Sequence, residues 1–255
     1  MKLESAAILC NPKKPSARAL VREIRRFLEE RGVDVRRPAQ AQIIIAISGD
    51  GTLLYNKNRH LKPFFAIGSK TSKLCQTRIE RWRKDLGALA MNGFSLERRL
   101  MLSAELDGER LPDALNEVVI RNRQHRLMHI QIRAGKRIHR FRADGVIFST
   151  ATGSGAYAYS CGGRKMPPRS NRYQIVAIAP HLRQFRPTRL DGGMRCVVQE
   201  DFGYHRRTGK DAQSIQSKPD VVVDGQFQKP LRKGHVLKIY KSARAMEFVK
   251  VKRKD

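Results

Sequence analysis

AQIIIAISGDGTLLY, residues 41–55, is the stretch on which the fold turns. Residues 43–47 form an unbroken apolar run of strand length, and a run with no polar alternation is what a buried strand of a parallel sheet requires. It stops on Ser48-Gly49-Asp50-Gly51-Thr52, where glycines flanking a strand end let the backbone turn sharply and bring consecutive N–H groups toward one point. That is an anion seat, and a helix opening at Thr52 adds positive potential to it. Gly49, Gly51 and Thr52 are therefore candidate phosphate-binding residues. Asp50 is the anomaly, because a bound phosphate repels a carboxylate. A chemical reason for its presence is that a carboxylate can accept a hydroxyl's hydrogen bond, aim that oxygen at phosphorus and take its proton. The alternative is that Asp-Gly is an ordinary turn dipeptide.

Working outward, residues 6–9 are a short apolar strand. Leu20, Val21, Ile24, Phe27 and Leu28 recur at helical spacing, with Ser16 as the expected cap and Gly32 as the stop. Residues 64–67 form a further apolar run ending at Gly68. Strand, helix, strand, helix, strand is βαβ logic, which predicts a parallel sheet with helices on its faces. From about Ser95 the dominant spacing becomes two: Leu102, Ala104 and Leu106 alternate with other residues, and MHIQIR (128–133) and RIHRFR (137–142) read as a hairpin joined by Ala134-Gly135-Lys136. The expected division is an α/β domain, residues 1–96, carrying the Gly-Asp-Gly-Thr turn, and a mainly β domain, residues 97–255, whose tail packs back on the first.

The chain has 255 residues, 40% hydrophobic and 29% charged, which suits a globular protein with a sizeable core. Residues 1–10 hold only a short apolar run, too brief for a secretory leader, and no run approaches membrane-spanning length. A cytoplasmic protein is expected. Cys10, Cys75, Cys161 and Cys196 are widely spaced with no CxxC pair, so they read as reduced thiols buried as small apolar groups, and no metal site is expected. Lys and Arg number 52 against 23 Asp and Glu, a net charge of +29. The excess is spread through KNRHLK, RIERWRK, RNRQHR, GKRIHRFR and KVKRKD, and it lacks the interleaved aromatics of single-strand binders. Binding to nucleic acid is expected only as a non-specific, salt-sensitive effect.

Two further stretches carry polar chemistry. DALNEVVIRN (113–122) sets Asn116 and Glu117 before a β-branched pair, where an amide and a carboxylate could hydrogen-bond a purine edge and a ribose diol, or simply be an exposed strand entry. FRADGVIFSTATGSGAYAYSCGG (141–163) places Asp144-Gly145 before an apolar strand. A loop of small and hydroxylated residues follows, able to approach a ligand closely or to be a surface connection, with Tyr157 offering a ring for stacking.

In this order and spacing the motifs resemble the NAD kinase family, whose patterns are GGDGT, an Asn-Glu pair and DG…TPTGSTAY…GG. IAPHLRQFRP (178–187) and VVVDGQ (221–226) also resemble family segments, and the overall length is similar to the compact archaeal and bacterial members. GGDGT by itself is shared with lipid kinases of the diacylglycerol and sphingosine type, so a lipid or other small-alcohol kinase is one alternative. A basic nucleotide- or nucleic-acid-binding protein on a degenerate kinase fold is another. The resemblance implies a Rossmann-like α/β domain plus a mostly β domain, and an enzyme that phosphorylates NAD to NADP with ATP or polyphosphate. It implies Mg²⁺ carried by the donor phosphates and assembly as a homodimer or homotetramer. It further implies Asp50 as general base or orienting group at the adenosine ribose 2′-hydroxyl, Asn116 and Glu117 on the dinucleotide's edges, Asp144, Thr152, Ala156, Tyr157 and Ser160 lining the same pocket, and Asp224 contacting NAD. The sequence departs from the family pattern at Ser48, Ala151 and Gly155. It departs again in IGSKTSKLCQT (67–77), where Lys70 replaces an asparagine and Ser72, Cys75 and Gln76 replace two glycines and a phenylalanine. Lys70 and Lys73 are possible phosphate contacts or solvent-facing loop lysines.

Overall fold

The computed structural model describes residues 1–123, 127–201, 218–232 and 234–252, so the ends of the RNRQHR and KVKRKD runs lie outside the described residues. The chain divides into two compact units, Met1–Arg98 with Met246–Asp255, and Arg99–Ala245. Two long strands, Phe94–Leu106 and Leu237–Val251, contribute residues to both.

In the first unit the strands Thr77–Arg78, Phe64–Gly68, Ile43–Ile47, Ser5–Cys10 and Asp34–Val35 lie side by side in that order, every pair parallel. Phe248 adds a parallel contact to Phe64. All five residues of Ile43–Ile47 are buried, because helices and loops cover both faces of this central strand. Ile43, Ile45 and Ile47 pack with Ile24, Phe27 and Leu28 of helix Pro15–Glu29 and with Trp82, Leu86 and Leu89 of helix Trp82–Asn92. Each such isoleucine contributes about 1.5–3 kcal/mol of burial, which fixes where the strand ends. Two helix starts differ from expectation. Pro15 occupies the first turn, Lys14 stands at the N-cap without a side-chain bond, and Ser16 lies inside the helix; proline's fixed φ suits that first position. The helix after the glycine turn is Asp50–Asn56, two residues earlier than Thr52, with Gly49 as N-cap.

The second unit is a β-sandwich. One sheet is antiparallel throughout, in the order Thr188–Asp191, Arg172–Ile178, Gly145–Thr150, Glu117–Asn122, Pro219–Val223, Phe227–Pro230. The other contains Arg137–Ala143, Met128–Ala134, Cys196–Asp201 and the first part of Leu237–Val251. Their facing residues, among them Val118, Ile120, Val146, Phe148 and Tyr173 from one sheet and Ile130, Ile132, Phe141 and Ile239 from the other, form one core. The hairpin register pairs Arg137 with Ala134, so Ala134 belongs to the strand and the turn is Gly135-Lys136, with Gly135 at a φ of 58°. Of the four free thiols only Cys196, packed in the core of the second unit, is fully buried; Cys10, Cys75 and Cys161 are half-buried, at the end of strand Ser5–Cys10, in the loop before Thr77–Arg78 and just after helix Tyr157–Ser160. Among the described residues no helix is long and apolar enough to cross a membrane.

Candidate functional site

The glycine turn of the first unit is built by the strand behind it. Ile47 is buried at the strand end, Gly49 takes a φ of 97°, and its N–H donates to the carbonyl of Ile67 on the neighbouring strand. The N–H of Thr52 donates to the Gly49 carbonyl, and Thr52 is buried. Of the expected phosphate seat this leaves the N–H groups of Asp50 and Gly51 at the open helix start, where backbone donors lack intrahelical partners. Ser48, where the family pattern has glycine, has a φ of 96° and a buried hydroxyl oxygen with no hydrogen-bond partner among the described residues.

Asp50 is held by the segment that departs from the family pattern. Its Oδ2 accepts the N–H of Lys73 at 2.7 Å, and its Oδ1 accepts the N–H of Leu74 at 3.0 Å and the thiol of Cys75 at 3.4 Å. Gln76 ties the same segment to strand Phe64–Gly68: its N–H donates to the Ala66 carbonyl at 2.9 Å and its Oε1 accepts the Ala66 N–H at 2.6 Å. The side chains of Lys70 and Lys73 are exposed.

In the second unit the Asn-Glu pair stands where strand Glu117–Asn122 begins. Asp224, buried and at a left-handed φ of 49°, accepts the N–H groups of Leu115, Asn116 and Glu117 at 2.8, 2.8 and 3.0 Å. Aspartate tolerates that backbone region better than most residues, which lets the turn after Pro219–Val223 deliver its carboxylate to the neighbouring strand. Asp224 thus orients the pair through the backbone. The hydroxyl loop is pinned to the same place: the Thr150 N–H donates to the Asn116 carbonyl at 2.9 Å, Thr150 Oγ1 donates to the Leu115 carbonyl at 2.5 Å, and the Gly153 N–H donates to Thr150 Oγ1 at 3.0 Å. A Cβ on Gly153 would stand 2.2 Å from the Asn116 carbonyl oxygen, so only glycine allows this approach.

At that junction Asn116 Oδ1, Glu117 Oε2 and Thr152 Oγ1 are buried without hydrogen-bond partners among the described residues. Buried polar atoms left unpaired cost about 1–3 kcal/mol each, so a cluster of them calls for partners from outside the chain, water or a ligand. Burial, reinforced by the Asp224 charge, pushes the Glu117 carboxyl up to about 8, so near neutral pH it is largely protonated and can donate as well as accept. Tyr157 opens the short helix Tyr157–Ser160, half-buried. Its hydroxyl is pushed up by burial first, then by Cys161, Glu117 and Asp144, against an opposing effect of Arg121. The structure therefore gathers Asn116, Glu117, Thr152 and Asp224 around one strand entry, with Tyr157 half-buried beside Val119 of the same strand. Asp144 does not join them: it stands at the far end of that strand, where its carbonyl accepts the Asn122 N–H. Ala156 and Ser160 are exposed on the short helix beside them. Sequence reasoning did not single out Arg121. Ser154, one of the loop's hydroxylated residues, serves the loop itself: its hydroxyl donates to the Ala151 carbonyl and accepts the Met166 N–H. Among the described residues no group of three or more His, Cys, Asp or Glu is placed to hold a metal ion.

A parallel α/β unit with a carboxylate on a glycine turn, and a β-sandwich with an amide- and hydroxyl-lined strand entry, define a two-unit class of nucleotide-handling protein. Residues 115–251 match the model of the ATP-NAD kinase C-terminal domain. The NAD kinase of Methanothermobacter thermautotrophicus is 31% identical over 231 residues, covering 88% of this chain and 76% of that protein. The NAD kinase of Methanoregula boonei is 31% identical over 219 residues, 84% of this chain and 76% of that one. Among solved structures, an NAD kinase from Archaeoglobus fulgidus in complex with ATP superposes with a TM-score of 0.80 at 24% identity, over 97% of this chain and 94% of that chain. A yeast NADH kinase complexed with NADH gives a TM-score of 0.80 at 19% identity, over 98% and 84%. The chain belongs to the NAD kinase family.

Proposed function

We propose that this chain phosphorylates the 2′-hydroxyl of the adenosine ribose of NAD, giving NADP, with ATP as the donor. The 2′-oxygen attacks the γ-phosphorus, the new O–P bond forms as the bond from phosphorus to the bridging oxygen breaks, ADP leaves with that electron pair, and Asp50 takes the hydroxyl proton. Such transfer depends mainly on positioning and on neutralising charge, which is why the residues below serve to bind and orient. The observation that carries the acceptor side is the set of buried, unpartnered atoms Asn116 Oδ1, Glu117 Oε2 and Thr152 Oγ1. In this reading they receive the purine and ribose of the dinucleotide, with Tyr157 against the base, Ala156 and Ser160 beside it, Asp144 at the far end of the strand toward the rest of the dinucleotide, and Asp224 holding the Asn-Glu backbone in place. Gly49, Gly51 and Thr52 form the phosphate turn, with the N–H groups of Asp50 and Gly51 as its donors, since those of Gly49 and Thr52 are engaged within the chain.

The donor enters as its magnesium complex, a substrate whose metal is held by its own phosphates and water; polyphosphate offers the same phosphoanhydride chemistry. The reading includes a cytoplasmic setting, a homodimer or homotetramer, and a division of labour between residues 1–96 and 97–255, all taken from the sequence-level expectations. Contact with nucleic acid is non-specific in this account, a consequence of the +29 charge that salt screens. The test is NADP⁺ formation by the purified chain from NAD⁺ with ATP and with polyphosphate. Phosphorylation of a lipid panel without any NADP⁺ would overturn the proposal.

A further inference from the structure

The family pattern has glycine where this chain has Ser72 and Cys75, and both side chains fill space left by a glycine on the neighbouring strand. A Cβ on Gly68 would lie 2.3 Å from Ser72 Oγ and 2.5 Å from Cys75 Sγ, so these two side chains occupy the room that Gly68 leaves. Ser72 Oγ is itself fixed by accepting the Ser69 N–H at 3.1 Å. The result is a thiol aimed at Asp50 from a rigid loop, a donor that a glycine could not provide.

A carboxylate has about four lone-pair positions, two on each oxygen. Among the described residues, Oδ1 of Asp50 accepts two donors, the Leu74 N–H and the Cys75 thiol, while Oδ2 accepts one, the Lys73 N–H. One position is left, and it is on Oδ2. We propose that Cys75 is a positioning residue for phosphoryl transfer: by filling the second position on Oδ1 it fixes the carboxylate rotamer and makes Oδ2 the oxygen that receives the substrate's hydroxyl proton. The inference rests on the reading of Asp50 as the base. Burial, and then the Asp50 charge, push the thiol up to about 12, so it remains a hydrogen-bond donor throughout the working pH range.

The experiment compares steady-state NADP⁺ formation by wild type, Cys75→Ala, Cys75→Ser and Asp50→Asn, with the thermal midpoint of each recorded. Loss of one donor to an ionised acceptor should lower kcat of Cys75→Ala about fivefold while KM for NAD⁺ stays within about twofold. Cys75→Ser, which restores a donor, should recover most of the rate. An Asp50→Asn variant without turnover beside a Cys75→Ala variant at the wild-type kcat would overturn the role of Cys75 and leave the role of Asp50 standing. Equal losses in the alanine and serine variants would also overturn it, since packing and not donation would then be responsible. An active Asp50→Asn variant would remove the base itself, and the inference with it. Should Cys75→Ala not fold, Cys75→Gly, the residue of the family pattern, carries the same comparison.

Discussion

Replacing Ser48 by glycine should make the protein more stable, although the residue stands at the edge of the proposed phosphate turn. Its φ of 96° lies well outside the narrow left-handed region open to side-chain-bearing residues, and its hydroxyl oxygen is buried without a partner among the described residues. Backbone strain of this kind costs about 1–3 kcal/mol, and an unpaired buried hydroxyl about 1–3 kcal/mol more. Against these, glycine adds about 0.5–1 kcal/mol of unfolded-state entropy. Taking the low end of the gains, because neighbours relax, the net is about 1–1.5 kcal/mol in favour of Ser48→Gly. Ser48→Ala removes the hydroxyl but keeps a Cβ at the same φ, so it isolates the second contribution at about 1 kcal/mol. Equilibrium urea unfolding of the ligand-free proteins measures all three, the midpoint shifting at constant slope. The expected order of stability is glycine above alanine above serine. A glycine variant clearly less stable than the alanine variant would show that any strain here is smaller than the entropy cost of glycine and refute the reasoning.

Three further substitutions test the second unit. Glu117 has an ordinary value of 4.5 and is pushed to about 8 in the fold, so between those limits the unfolded chain loses a proton that the folded chain keeps. Unfolding then releases protons, and the stability attached to this group falls as pH rises from 4.5 to 8, by at most roughly 5 kcal/mol. Glu117→Gln should flatten that fall when unfolding is measured at both ends of the window; an unchanged slope would mean that Glu117 is ionised as in water. Gly153→Ala forces a Cβ within 2.2–2.6 Å of Asn116 backbone atoms that cannot turn aside, and should cost about 3 kcal/mol or more and weaken NAD⁺ binding in calorimetry. Gly155→Ala, with nothing within 4 Å, should stay within about 0.5 kcal/mol of wild type.

The parts of the fold visible in the sequence are those written in local period. The run 43–47 is apolar throughout and becomes the buried central strand, and the alternation in 128–133 places Met128, Ile130 and Ile132 in the core; in the partner run 137–142 only Phe141 follows, and Ile138 lies on the exposed face. Helix starts were harder to read, since Pro15 and Ser16 are both good candidates for a first turn and only the backbone decides between them. Helix Trp82–Asn92 goes unread in the sequence although Trp82, Leu86 and Leu89 stand at i, i+4 and i+7, because the basic run at its start and the central Gly87 blur the pattern; Trp82 meets Phe27 edge-on at 5.1 Å, a contact across more than fifty residues. The same distinction governs the site. Asp50, Asn116, Glu117 and the loop after Thr150 stand out by residue type and spacing. What holds them does not: the donors on Asp50 come from 23 to 25 residues away, and Asp224 reaches the Asn-Glu backbone across 107 to 109 residues. Such long-range grips leave no periodic trace. The one local signal was that Ser72 and Cys75 stand where the family pattern has glycine, and the structure explains both by the space above Gly68.

The central claim is that the Asp50 carboxylate takes the proton of the attacking ribose hydroxyl, and the measurement that tests it most directly is turnover of Asp50→Asn set beside its affinity for NAD⁺. The account expects calorimetric NAD⁺ binding close to that of wild type together with a drop in kcat of about a hundredfold or more, the range attributed to a positioned general base. Turnover at the wild-type rate with binding intact would contradict it.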